Sequence, residues 1–176
     1  MRRTITMLLI LSALPVGAYA FDVLWEGESP YHHVRVTQED GYRFLAFERA
    51  RGNQSAMKLD DPTYLYYMYA QTAFVGLAFL EQPPKDVLFV GLGGASMPRF
   101  MRKHYPDVNM DIVEVDPLVI KVAKEFFQFK PGDKTRVYEK DGRVFVSKID
   151  KTYDMIFLDA YNARSIPFHL TTQEFL

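Results

Sequence analysis

Asp86-Val87-Leu88-Phe89-Val90-Gly91-Leu92-Gly93-Gly94 decides how this chain is read. Val87 to Val90 is a continuous apolar run. A strand that apolar is buried on both faces, and such strands belong to parallel sheets covered by helices. The glycines that follow let backbone approach a ligand closely. The helix expected next, Ser96 to His104, offers its N-terminal amides. Downstream the pattern repeats. Met110 to Val115 reads as a second strand. Asp116-Pro117 then caps a helix to about Phe129, with apolar residues in two stripes: Ile120, Ala123, Phe127 and Val119, Val122, Phe126. Arg136 to Tyr138 is a third short strand, and Asp141 to Ile149 a short helix. Met155-Ile156-Phe157-Leu158 is a fourth apolar strand, ending at Asp159. Strands alternating with helices predict an α/β, Rossmann-like fold.

Upstream of this domain, Tyr31 to Val36 and Tyr42 to Phe47 read as a β-hairpin turning at Glu39-Asp40-Gly41. Asp60-Asp61-Pro62 reads as the start of a helix running to about Leu80, before Pro83-Pro84. At the N-terminus, Met1-Arg2-Arg3 precedes an apolar run from Ile5 to Ala18 and the small-x-small site Ala18-Tyr19-Ala20. That is the pattern of a secretory signal peptide cleaved after Ala20. An uncleaved anchor and a mis-assigned start codon are the alternatives. The run is short for a membrane span, and the membrane is a partner only if the segment stays uncleaved. The expected organisation is a signal peptide over 1–20, a β-hairpin region over 21–59, and a Rossmann-like nucleoside-cofactor-binding domain over 60–176.

Composition agrees with a folded body. Hydrophobic residues are 48% and charged residues 24% of the chain, which excludes disorder or coiled coil as the main architecture. The formal net charge is -1, so no electrostatic footprint for nucleic acid is present. Cysteine is absent, which excludes disulfides, thiolate metal sites and a cysteine nucleophile. No metal is expected: His32 and His33 are adjacent on a strand and face opposite sides. No Ser-His-Asp pattern with a nucleophile elbow is present.

In an open parallel sheet, ligands bind beyond the carboxyl ends of the strands. Gly91, Gly93 and Gly94 follow the first strand there. Glu114, at the end of the second, can accept both ribose hydroxyl hydrogens. Asp141, beside Gly142, can take an adenine amino group or simply cap its helix. Asp159 ends the fourth strand, where a reacting group would sit, and His169 lies in a loop nearby. A nicotinamide dinucleotide fits the glycine turn and Glu114 equally well, but gives Asp141 and Asp159 less to do.

These residues, read as the segments Gly91 to Arg99, Val113 to Pro117, Asp141-Gly142 and Tyr153 to Ala160, resemble the spermidine synthase-like family of polyamine aminopropyltransferases. That family has the class I S-adenosylmethionine methyltransferase fold. Glu28-Ser29-Pro30-Tyr31 and the hairpin resemble its small N-terminal β domain, and Gln54-Ser55 resembles its Gln-x-Ser turn. The resemblance implies S-adenosylmethionine or decarboxylated S-adenosylmethionine as co-substrate, with Glu114 on the ribose and Asp141 on the adenine. It makes Asp159 the residue that positions or deprotonates an attacking amine, in aminopropyl or methyl transfer. The chain also departs from the family pattern. Gly94 stands where the family has an acid in its glycine loop, and Asn162 where it has a second Asp after the catalytic one. Tyr66-Tyr67 stand where it has His-Glu. Gln54, Tyr67 and Asn162 are therefore the candidate acceptor-site residues, and efficient use of putrescine is not expected, because a dication needs paired negative charge. The cluster Tyr64, Tyr66, Tyr67, Tyr69 could wall a less charged acceptor or simply pack.

Four strands are fewer than this fold carries, so the fold reads as truncated at its C-terminus. Met155 to Leu158 becomes an exposed apolar edge, open to a second copy or a completing chain. The leading function is a spermidine synthase-like transferase acting on a small molecule. The alternative is a non-catalytic exported binding or partner-completed protein, which the signal segment favours because the co-substrate is cytosolic. Export to the periplasm or medium predicts a mature N-terminus at Phe21. N-terminal sequencing of the fractionated protein checks this, and an intact Met1 in the cytosol would refute it.

Overall fold

The computed structural model describes residues 21–48, 52–161 and 166–175. Residues 1–20, expected to be a signal segment, and Asn162 lie outside the described residues. The chain builds two sheets. The first is antiparallel, in the order β1 (Asp22–Glu28), β2 (His33–Glu39), β3 (Tyr42–Phe47), β4 (Asn53–Lys58). The expected hairpin is its inner pair, with Glu39 opposite Tyr42. Asp40 and Gly41 turn it at φ of 48° and 79°, the left-handed pair that tight hairpins require. The hairpin region is thus half of a larger sheet. Its outer strands hide in the sequence because their side chains are polar or small: β1 is largely exposed, and β4 reads Asn-Gln-Ser-Ala-Met-Lys. Gln54-Ser55, expected in a turn, lies inside β4.

The second sheet is parallel. Its strands are β5 (Asp86–Val90), β6 (Asn109–Glu114), β7 (Thr135–Glu139) and β8 (Met155–Leu158), in the order β7-β6-β5-β8. Chain reversal between β6 and β8 on either side of β5 makes β5 the switch point, and its glycine turn therefore opens into the crevice. Helix α1 (Met68–Ala73) precedes β5, α2 (Ser96–His104) follows it, α3 (Pro117–Phe126) follows β6, and α4 (Gly142–Val146) follows β7.

The long helix expected from Asp60 forms only in its second half, as α1 and a 3-10 helix over Phe74–Phe79. Asp61 explains the delay. Its Oδ1 accepts from the Thr63 amide at 3.1 Å and the Thr63 hydroxyl at 2.6 Å. That local turn competes with helix formation. The Pro62 carbonyl is taken by Arg99 Nε at 2.9 Å.

The two stripes of α3 face two cores. Val119 and Val122 join Val34, Val36, Leu45, Phe47 and Met57 of the antiparallel sheet, while Ile120 and Ala123 join Phe89, Met110 and Ile112 of the parallel one. Phe127, just beyond the helix, is fully buried and belongs to the first core. Two apolar stripes are what contact with two sheets demands, and Lys121, Lys124 and Glu125 form the exposed face that remains. Asp116 caps it, accepting from the Leu118 amide at 2.8 Å with Pro117 next.

Among the described residues, β8 pairs on one side only, with β5. The expected apolar edge is narrower than its sequence. Phe157 is buried, stacked on Phe89 with ring centroids 4.8 Å apart, and Ile156 is the residue left 52% exposed.

Gln128 follows α3 at φ 54° and is exposed. A left-handed L-residue past a helix end is strained where glycine is not. Gln128→Gly should stabilise the protein by roughly 0.5–1 kcal/mol, read by urea denaturation. A loss of stability would show that the Gln128 side chain contributes more than its backbone costs.

Candidate functional site

The carboxyl ends of β5, β6 and β8, the turn after β7 and the inner edge of the antiparallel sheet enclose a cavity of about 570 Å³. That size suits a nucleoside-scale ligand. Gly91, Gly93, Glu114, Asp141, Gly142 and Asp159 all line it, as do the candidate acceptor residues Gln54 and Tyr67. Gly91 has φ 102°, and a Cβ there would collide with the Asp159 carbonyl. Only glycine lets the ends of β5 and β8 come so close.

Gly94 does not line the cavity. A Cβ there would sit 2.8 Å from Ser55 Cβ and 3.1 Å from Phe127 Cδ1, so its absence of side chain serves packing. Its amide donates to Ser55 Oγ at 2.8 Å, and Ser96 Oγ donates to the Ala56 carbonyl at 3.1 Å. Strand β4 is thereby fastened to the glycine loop. Arg99 completes the fastening. It is nearly buried, and burial lowers its pKa to about 10. Its Nη1 donates to the carbonyls of Gly94 and Phe127, placing the cation at the C-terminus of α3, where the helix dipole favours it.

Glu114 is 8% exposed. Its Oε2 accepts from the Leu92 amide and its Oε1 from the Asp116 amide, each at 3.0 Å. Burial pushes its carboxyl up, while the two amides pull it back. Each oxygen keeps a further lone pair for a ligand hydroxyl. Asp116, fully buried, accepts from Ser29 Oγ at 2.5 Å, and its Oδ2 lies 3.2 Å from His32 Nδ1. His32 stacks on Phe47 at 4.0 Å and lines the cavity with it. His33 turns the other way, to Glu28 at 2.8 Å. His32 and Asp116 are site-building residues that the sequence reading passed over. The available signal was their place, one directly after the Ser29-Pro30-Tyr31 segment and the other two residues after Glu114.

Asp141 is both a cap and a wall. Its Oδ1 accepts from the Val144 amide, and its Oδ2 meets His169 Nε2, both at 2.9 Å. Gly142 beside it packs on Val90, where a Cβ would lie 2.6 Å from Cγ1. At the other end stands Asp159. Burial raises its pKa to about 6, against a small opposing pull from the Tyr69 hydroxyl, which donates to Oδ2 at 3.5 Å. The tyrosine cluster divides. Tyr67 and Tyr69 line the cavity, whereas Tyr66 packs edge-on against Tyr42 at 5.0 Å.

An acid whose folded pKa is raised favours folding most below its unfolded pKa, and that contribution disappears as pH rises through the folded value. For Asp159 the window runs from 3.8 to about 6. Asp159→Asn should therefore gain on the unsubstituted protein across that window, by up to about 3 kcal/mol at pH 7. Urea denaturation of both proteins at pH 4 and pH 7 measures the difference. A constant difference would show that Asp159 is not held in a desolvated place.

The same architecture recurs in known proteins. The chain is 35% identical over 173 residues to a polyamine aminopropyltransferase of Vibrio vulnificus, an alignment covering 95% of this chain and 57% of that protein. It superimposes on a crystal structure of spermidine synthase in complex with the transition state analogue AdoDATO with a TM-score of 0.70 at 23% identity, covering 87% of this chain and 52% of that one. It also superimposes on human methyltransferase-like protein 13 in complex with SAH, with a TM-score of 0.57 at 28% identity, over 62% of this chain and 57% of that one. The chain thus spans little more than half the length of these relatives. The spermine/spermidine synthase domain matches residues 68–176, the part that carries the glycine turn, Glu114, Asp141 and Asp159, and the chain belongs to that family.

Proposed function

We propose that the chain binds a sulfonium nucleoside, S-adenosylmethionine or its decarboxylated form, and promotes transfer of an alkyl group from it to an amine. The observation that carries this reading is Asp159: a carboxylate held near pKa 6 in the cavity where the nucleoside-binding strand ends meet. The residues present suit the nucleoside. Glu114 is fixed by two amides with lone pairs to spare for ribose hydroxyls, the Gly91 turn exposes backbone, and Asp141 stands at the far end for an amino group. A nicotinamide dinucleotide would leave Asp159 without a task. The family membership and the likeness to a SAH-bound methyltransferase support the same choice.

The sulfonium supplies a good leaving group: the new carbon–nitrogen bond forms as the carbon–sulfur bond breaks and its electron pair returns to sulfur. What the protein does is position and deprotonate. An ammonium has no lone pair, so the acceptor must lose a proton first. Asp159 attracts the cation and takes that proton. A pKa near 6 makes it a better base than an exposed aspartate while leaving it ionised at neutral pH. Burial of the amine lowers its own pKa and narrows the gap between them. The Tyr69 hydroxyl aims the carboxylate, and burial beside Asp159 pushes its pKa up, so it remains a neutral donor.

Two outcomes test the reading. Calorimetry with methylthioadenosine should show binding, weakened by about 1–3 kcal/mol in Glu114→Ala; equal affinity would remove Glu114 from the ribose. Transfer activity should rise with pH through about 6 as Asp159 ionises, and Asp159→Asn should cost ~10²–10⁴-fold in rate. A pH-independent rate between 5 and 7 would rule out Asp159 as the base.

A further inference from the structure

The acceptor end of the cavity differs in charge from the nucleoside end. Of the carboxylates that line the cavity among the described residues, Glu114 is held by the amides of Leu92 and Asp116, and Asp141 by the Val144 amide and His169. Asp159, which accepts from the Tyr69 hydroxyl at 3.5 Å, is the one at the acceptor end. Beside it the wall is aromatic and uncharged. Tyr67 and Tyr69 stack with centroids 6.0 Å apart at 23°, and Tyr161 flanks them. The Tyr67 hydroxyl is occupied by the Asn53 carbonyl at 3.1 Å, and Tyr66 packs edge-on against its ring at 4.9 Å and 87°. The ring is thereby held in place as a surface. Burial raises the Tyr67 pKa, so no second anion arises there by ionisation.

From this arrangement we infer that the acceptor is a singly charged amine with an apolar body, held by Asp159 at its ammonium and by the Tyr67–Tyr69 wall along its carbon skeleton. The inference rests on the transfer reading above and narrows it. A diamine would bring its second ammonium into a wall that offers no carboxylate among the described residues, and an unpaired buried cation is costly. An aromatic face attracts one cation and prefers an apolar skeleton behind it.

Calorimetry on the full 176-residue chain saturated with methylthioadenosine tests this, using phenethylamine, hexylamine and 1,4-diaminobutane as probes. Both monoamines should bind about tenfold more tightly than the diamine. Tyr67→Leu should weaken phenethylamine about five- to tenfold. Tyr67→Glu should raise affinity for the diamine about tenfold and lower it for the monoamines. Methylthioadenosine affinity close to that of the unsubstituted protein shows in each variant that the fold is intact. Diamine binding equal to or tighter than monoamine binding, with the nucleoside bound normally, overturns the inference and leaves the transfer reading standing. Diamine affinity unmoved by Tyr67→Glu in a nucleoside-binding variant overturns it likewise. Failure of the unsubstituted chain to bind methylthioadenosine overturns the transfer reading and this inference together.

Discussion

A carboxylate taken out of water must recover its hydrogen bonds inside the protein, and much of this site follows from how Glu114 does so. Its two oxygens reach the amide of Leu92 in the glycine turn and the amide of Asp116 at the head of α3. One side chain therefore fixes the relative positions of two post-strand turns, which are the floor of the cavity. Asp116 extends the arrangement, with its own carboxylate capping α3 and receiving Ser29, while His32 lies beside it. The β1–β2 connection is thereby drawn onto the strand ends. Removal of Glu114 would leave the amides of Leu92 and Asp116 without their acceptor.

Packing reinforces the same geometry. Because α3 buries one stripe against each sheet, the antiparallel sheet cannot slide without disturbing the helix that begins at Asp116. Arg99 and Ser55 secure the second connection, between β4 and the glycine loop. Hydrophobic burial supplies most of the driving force here, and these few polar contacts set the register.

The parallel sheet was legible because its strands are continuous apolar runs and its turns carry glycine or acid. Val87 to Val90 and Met155 to Leu158 admit little else, and α2 begins and ends at the expected residues. The placement of Gly91, Glu114, Asp141 and Asp159 around one cavity follows from topology, since strand ends in such a sheet converge. The outer strands β1 and β4 were not legible. Their pairing comes from neighbours supplied by the hairpin, and their own side chains carry little periodic signal. The early start expected for α1 failed because Asp61 uses its side chain on Thr63, a choice that tertiary contact with Arg99 reinforces. Gly94 looked like a ligand-loop glycine and is a packing glycine. Sequence spacing cannot distinguish the two, because the deciding atoms belong to Ser55 and Phe127, far away in the chain.

The two ends of the cavity differ in mechanical root. The floor of the cavity stands on β5 and β6, whose side chains are almost wholly buried, and on the buried stripes of α3. Tyr67 and Tyr69 of the aromatic wall stand at the head of α1, which buries Ala70 alone and runs into a 3-10 helix that buries no residue completely. Local opening free energy scales with buried contact, so the wall is the compliant side and the floor the stiff one. Substitutions at positions 67 and 69 therefore disturb the global fold little, while substitutions beneath the nucleoside propagate into both cores. The cavity is thus hinged between a stiff floor and a yielding wall, and the shape of the wall can change without the floor having to be rebuilt.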